Sequence, residues 1–299
     1  MKLAVPDLVS NSYFPALAAI ELGCFAQEGL GVSLEVMFPP DRAYAAMRDG
    51  GIDLVAASAH TMLAAFPRWR GGKLVCAQAQ GMYWFLVMHS DHAVARGDLA
   101  ALTGRRIGAA PYVEMGLRGL LAQAGLDPVR DGIAIGPVPP HPAAGANFGL
   151  SAAMALEARQ IDGFWANGMA AERAVRGGFG SIVLDVRRDR GPADGFDLTM
   201  ATIAAPDRLL RDDPGLAGAV RRAVARAHAM LTQEPELATQ VGAALFPPAE
   251  AAMIADLIRR DLPFYDTAIT ADQIRAVNAF ARRMGILDAD VPFAEVVAA

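Results

Sequence analysis

The chain has 299 residues, 54% hydrophobic and 20% charged, and 27 Lys and Arg against 32 Asp and Glu give it a formal net charge of −5. That length and apolar content suit a sizeable core and favour two lobes over one, while the acidic balance argues against nucleic-acid or anionic-membrane partners, which need a basic patch. No apolar run approaches the roughly 20 residues that span a bilayer, so no membrane insertion is expected.

Leu3 to Val9 is an apolar run of strand length that breaks into Asn11, Ser12 and Tyr13 just before Pro15. Pro15 suits the first turn of a helix, where no N–H is needed, and Leu17, Ile20 and Cys24 recur at helical spacing until Gly29 and Gly31. Val32, Leu34 and Val36 then alternate with Ser33 and Glu35, which predicts a second strand. Strand, helix and strand at this spacing form a right-handed βαβ unit whose ligand-facing loop follows the first strand. Asn11, Ser12 and Tyr13 occupy that loop.

Asp41 to Asp49 reads as a helix ended by Gly50 and Gly51, and Ile52 to Ala56 as a buried strand. Ser58 suits an N-cap, with His60 in the first turn of a helix reaching Phe66. Lys73 to Ala79 and Trp84 to His89 are predicted strands leading toward a second lobe, which opens with Asp98 to Thr103 and the strand Arg106 to Ala109. A helix from about Tyr112 to Ala124 stops at Gly125, with Pro128 beyond it. Gly136 to Gly149 is proline-rich loop; then come a helix over about Ser151 to Ala158, the strand Ile161 to Ala166, a helix ending near Gly177 and the strand Ser181 to Val186. Charges crowd Arg187 to Asp194, which reads as a solvated turn, and Phe196 to Ala204 reads as the strand returning to the first lobe. From Pro206 onward only helices are predicted, over Pro214 to Leu231, Pro235 to Leu245, Ala249 to Arg260 and Ala271 to Met284, the last opened by a capping box of Thr270 and Gln273. No internal repeat is visible.

These segments resemble a known family. The first strand, the polar loop, Pro15 and GLGVSLEV, followed in order by RDGGIDLVAA (Arg48 to Ala57), DLAALTGRRIGA (Asp98 to Ala109) and LEARQIDGFW (Leu156 to Trp165), are similar to the periplasmic solute-binding proteins of the alkanesulfonate, taurine and nitrate type. That family shares its fold with the pyrimidine-precursor synthase of fungal thiamin biosynthesis. The resemblance spans most of the chain and implies an α/β, two-lobed type II periplasmic-binding-protein fold. The expected lobes are residues 1–87 with 199–299, and an inserted 88–198. Two strand crossovers join them, and a ligand cleft between the lobes closes by hinge motion. Arg105 and Arg106 match a surface signature of the family and receive no ligand role.

The candidate ligand-binding residues are Asn11, Ser12, Tyr13, Ser58, His60, Trp84, Tyr112, Glu114, Trp165 and Asn167. Asn11 to Tyr13 could bond a ligand or only form an Asx-type turn, and His60 could contact ligand or pack. Tyr83, Trp84, Phe164 and Trp165 fall at strand ends, where aromatic walls favour a flat or cationic ligand. Strand alternation allows only one of Phe164 and Trp165 to line the cleft, and Asn167 just beyond is the better polar candidate. Anion-binding relatives place Ser or Thr at the helix start near Tyr112; here Ala109 to Glu114 has no hydroxyl besides Tyr112, and Glu114 sits at the positive helix end. A neutral or cationic, aromatic or heterocyclic ligand is therefore expected.

His89, Asp91 and His92 lack further ligands at metal spacing, and Gly23, Gly29 and Gly31 lack the order of a dinucleotide fingerprint, so no metal and no cofactor are expected. Buried free thiols are expected of Cys24 and Cys76, a disulfide between them being the alternative. The leading functional reading is a monomeric solute-binding protein delivering a small molecule to an ABC permease. The alternative is a cofactor-free enzyme on the same fold. His60 lies in AHTMLAA, similar to the His segment of the pyrimidine synthase, but Ala56 stands where that family's pyridoxal-phosphate Lys would be, and Phe196 to Ala205 holds no Cys. In the more distantly similar aromatic sulfinate desulfinases the first loop carries a nucleophilic Cys, at a position corresponding to Ser12 here. The first strand begins almost at Met1, so the periplasmic reading requires a trimmed signal peptide, and a native Met1 implies the cytoplasm.

Overall fold

The computed structural model describes residues 1–144, 147–191 and 193–299. It divides into two compact units, Met1–Gln80 with Thr199–Ala299, and Gly81–Leu198. In chain order the first stretch forms β1 (Lys2–Val5), α1 (Phe14–Glu21), α2 (Cys24–Gln27), β2 (Ser33–Val36), α3 (Pro40–Arg48), β3 (Leu54–Ser58) and β4 (Gly72–Ala79). The second unit holds β5 (Phe85–His89), β6 (Arg106–Ala109), α4 (Glu114–Gln123), β7 (Ala134–Gly136), α5 (Phe148–Glu157), β8 (Gly163–Ala166), α6 (Gly168–Arg176) and β9 (Gly180–Asp185). The chain then adds β10 (Ala201–Pro206), α7 (Asp207–Asp212), α8 (Leu216–Gln233), α9 (Leu237–Leu245), α10 (Pro248–Asp261), α11 (Ala271–Arg283) and α12 (Phe293–Val296) to the first unit.

The first sheet has the order β2-β1-β3-β10-β4 and the second β7-β6-β8-β5-β9. In each, three parallel strands are followed by one antiparallel strand out of chain order, β10 in the first sheet and β5 in the second. The topology therefore repeats although the sequence does not. Because β5 pairs with β8 and β9, the second unit begins at Gly81 rather than after the expected residue 87.

Leu3, Leu54, Leu74 and Ile203 from the first sheet are fully buried, as are Val220, Val224 and Leu231 of α8 and Phe280 of α11. In the second unit Phe85, Val87 and Phe164 pack with the alanines of α5 and α6. Several expectations need correction. The first helix is not continuous: Leu22 and Gly23 N–H bond back to Ala18 and Ile20, and Gly23 takes φ +71°, a left-handed turn that ends α1 before α2 starts. The short edge strand β7 and the helix α7 were not expected. The tail is not wholly helical, since Val297 bridges Leu74 and the Ala298 N–H donates to the Leu74 carbonyl at 2.9 Å. Within the expected loop Gly136 to Gly149, α5 already starts at Phe148, and Gly145 and Ala146 lie outside the described residues. The capping box at Thr270 and Gln273 is present as expected.

Candidate functional site

In the first sheet, β10 runs antiparallel with Ala201 opposite both Ser58 and Ala79, so the ends of β1, β3 and β4 and the start of β10 share one edge. The loop after β1 belongs there. Ser10 N–H donates to the Leu8 carbonyl and Ser12 N–H to Ser10 Oγ, each at 3.0 Å, which folds the loop into a side-chain turn. Asn11 and Ser12 are each 2% exposed. Asn11 Nδ2 donates to Asp261 Oδ2 at 2.6 Å, and Asp261, the last residue of α10, is itself buried. Only the NH2 side of an amide can face a carboxylate, so this bond turns Asn11 Oδ1 away. That Oδ1 and Ser12 Oγ are buried and have no hydrogen-bond partner among the described residues. Tyr13 opens α1, its carbonyl accepting the Ala16 N–H at 3.1 Å, and gives no side-chain cap.

Gln78 of β4 ties the loop to the sheet: its Oε1 accepts from Ala16 N–H at 3.3 Å and its Nε2 donates to the Thr202 carbonyl at 3.1 Å. The Gln78 carbonyl accepts from His228 Nε2 at 2.9 Å, which fixes the neutral tautomer, and the ring stacks on Tyr265 at 4.7 Å. Burial pushes the His228 imidazole down to about 4.

Ser58 and His60 do not behave as expected. Residues Ala59–Ala64 form a 3-10 helix rather than a helix reaching Phe66, and Ser58 makes no cap bond; its Oγ lies 2.8 Å from Thr61 Oγ1. His60 Nδ1 lies 3.0 Å from Thr199 Oγ1 and the ring meets Phe280 edge-on at 5.3 Å. His60, Ser58 and Thr61 are fully buried. The packing reading of His60 is the one this geometry favours.

In the second sheet, Phe85 pairs with Ala166 and Asp185, and Ala109 with Trp165, so Trp84, Asn167, Arg187 and the loop 110–113 stand at one edge. Trp84 lies 4.9 Å from Tyr83 and 5.9 Å from Trp165, and Trp165 Nε1 donates to the Val113 carbonyl at 3.0 Å. Phe164 faces the core under α5 and α6, as alternation requires, but Trp165 is also fully buried and supports Trp84 from beneath. Tyr112 adopts φ +64°, a strained conformation for a residue with a side chain. Glu114 starts α4, two residues later than expected, and its Oε2 lies 3.4 Å from Arg118 Nη2 one turn on. A helical ion pair thus answers part of its charge. Asn167 Oδ1 accepts the Ala170 N–H at 3.0 Å and caps α6.

Arg187 departs from the solvated turn expected of 187–194, in which Arg190, Gly191 and Asp194 are exposed. Arg187 itself is 4% exposed, with its guanidinium 5.7 Å from the Tyr83 ring centroid. Pro192 of that segment lies outside the described residues. Asp261, Gln78, Thr199 and Arg187 escaped the sequence reading because each acts through a partner distant in the chain. Cys24 and Cys76 are free and buried, and burial pushes the Cys76 thiol up to about 12, which makes it inert. Among the described residues no three His, Cys, Asp or Glu side chains converge as metal ligands.

No protein-family model matches the sequence, and no curated protein matches it. Solved structures do. A protein from Bordetella bronchiseptica RB50 is 20% identical, with 99% of this chain and 93% of that chain covered at a TM-score of 0.78. The alkanesulfonate-binding protein SsuA from Xanthomonas axonopodis pv. citri, bound to MOPS, is 18% identical, with 99% and 97% covered at 0.71. The desulfurization enzyme DszB is 17% identical, with 98% and 94% covered at 0.60. The chain has the SsuA-like type II periplasmic-binding-protein fold.

Proposed function

We propose that the protein is the periplasmic solute-binding component of an ABC-type importer, taking up a small neutral aromatic or heterocyclic molecule and passing it to a membrane permease. The observation that carries this reading is the loop after β1, where Asn11 Oδ1 and Ser12 Oγ are buried without hydrogen-bond partners among the described residues. Such atoms cost about 1–3 kcal/mol each, and a ligand bearing an N–H or O–H group satisfies them. The Tyr83 and Trp84 rings at the edge of the second sheet, 1% and 2% exposed, add an aromatic cluster that a flat solute could reach only by displacing what now covers it. Neutral is preferred to cationic because Arg187 places a guanidinium beside those rings and Glu114 is already paired with Arg118. Ala109 to Glu114 offers no hydroxyl besides Tyr112 for a sulfonate.

Catalysis is the second reading, favoured by the likeness to DszB, which is an enzyme. A nucleophilic Ser needs an adjacent base. Ser12 Oγ has no hydrogen-bonded base among the described residues, and His60 is engaged by Thr199 and Phe280. Binding is therefore the reading that the geometry favours.

A thermal-shift panel of neutral heterocycles, amines and alkanesulfonates tests it, each hit being followed by NMR for turnover. A heterocycle should raise the melting midpoint saturably and stay chemically intact. Tight binding of an alkanesulfonate would overturn the neutral-solute reading, and consumption of the ligand would overturn the transport reading.

A further inference from the structure

We propose a second binding site on the first unit, remote from the solute loops, for a compact oxyanion carrying two or more charges. A cavity of about 280 Å³ is lined by Arg48, Arg70, Arg208 and Arg211, with Asp207 the acidic residue and Phe66 the aromatic one of its lining. It lies at the far end of the sheet. Gly72 at the start of β4 pairs with Pro206, whereas the solute edge is marked by Ala79 pairing with Ala201. At roughly 3.3 Å per residue, the eight residues of β4 put the two ends about 23 Å apart.

Two of the four arginines are held in place, and the cluster is only partly neutralised. Arg208 Nη2 donates to the Met47 and Ile52 carbonyls at 3.3 and 3.5 Å, which fixes its guanidinium. Arg48 is held by Asp49 through bonds of 2.8 and 3.2 Å. The side chains of Arg70 and Arg211 make no ion pair or hydrogen bond with any described residue. Counting Asp49 and Asp207 against the four arginines leaves two positive charges unanswered, on a chain whose net charge is −5. Like charges around a shared cavity repel, and a bound anion reverses the sign of that interaction. The planar guanidinium fork matches phosphate and carboxylate oxygens two at a time. Phe66, 3% exposed, adds an apolar ring to the lining. The cavity is somewhat smaller than the usual range for drug-sized ligands, which selects a compact ion.

Isothermal titration of the full-length protein with sodium pyrophosphate and with citrate, at fixed ionic strength in sodium chloride, tests the site. Wild type should bind at least one of the two saturably with one-site stoichiometry. Preference for pyrophosphate assigns a phosphate-type occupant and preference for citrate a carboxylate-type one. The double variant Arg70→Gln/Arg211→Gln should weaken binding by about tenfold or more, and Arg211→Gln alone by less. Both side chains are exposed, so both variants should keep the far-UV circular dichroism of wild type. Ser12→Ala should leave this affinity unchanged, which separates the site from the solute loops. No saturable heat with either ion, or equal affinity in the double variant, overturns the proposal.

Discussion

Ser12 holds a hydroxyl out of water with no partner among the described residues, a cost that the ligand-free protein carries in full. Ser12→Ala removes that cost, so it should raise the melting midpoint of the free protein by about 2 °C, for roughly 1 kcal/mol, while weakening solute binding. A lower midpoint in calorimetry would show that the hydroxyl is satisfied in solution. Asn11→Ala should behave oppositely, because it strips the buried Asp261 of its amide donor and costs about 1–3 kcal/mol. His228 sets a pH dependence at the same scale. Its folded pKa of about 4 lies below the ordinary value of about 6.5, so the unfolded chain binds the extra proton between those limits. Its stabilising contribution is complete above about pH 6.5 and is lost as pH falls toward about 4, with roughly 2 kcal/mol gone between pH 7 and pH 5. Denaturant midpoints at those two pH values, for wild type and for His228→Gln, should show a fall that the variant largely lacks.

Among elements, α4 depends on the absence of one side chain. A Cβ at Gly116 would lie 2.8 Å from Met82 Sδ and 2.8 Å from Trp84 Cζ3, so the helix backbone rests directly on the indole. Gly116→Ala gains up to about 1 kcal/mol of helix propensity but forces Trp84 off its contact with Trp165, an overpacking cost of about 1–3 kcal/mol. The expected result is a net loss of stability and an altered near-UV circular dichroism in the tryptophan region. An unchanged spectrum would mean that α4 shifts as a rigid body instead. The position also bears on the site, since α4 follows the loop that carries Tyr112.

For the whole molecule, the order of strands decides which part can stand alone. Residues 81–198 are continuous in sequence, and their ends meet: Met82 N–H donates to the Phe196 carbonyl at 2.8 Å, and Gly81 lies against the Phe196 ring. Their first strand, β5, pairs with β8 and β9, so the sheet is complete within the segment. Expressed alone, 81–198 should fold with a cooperative urea transition. Residues 1–80 alone should not, because β10 must sit between β3 and β4 and the Ala298 N–H must reach Leu74. Amide exchange on both fragments checks this, and an unprotected 81–198 fragment would refute it.

The sequence by itself determined the elements whose signal is local. A short apolar run marked β1, alternation marked β2, Pro15 marked the start of α1, and Thr270 with Gln273 marked the start of α11, because each rests on residues within a turn or two of one another. The strand-helix-strand spacing pointed to the loop holding Asn11 and Ser12, and the resemblance to solute-binding proteins added the fold. Only the tertiary structure decided which atoms of that loop are free to act. Asn11 is oriented by Asp261, 250 positions away, and His60 is engaged by Thr199, 139 positions away. Charge density made Arg187 look solvated, yet it is buried beside the Tyr83 ring, and the partner of Glu114 one turn on, Arg118, is seen only in the folded helix. Periodicity fixes which face of an element is buried, but the partner a buried polar atom finds depends on how distant segments are brought together, and that partner decides what the atom can still offer a ligand.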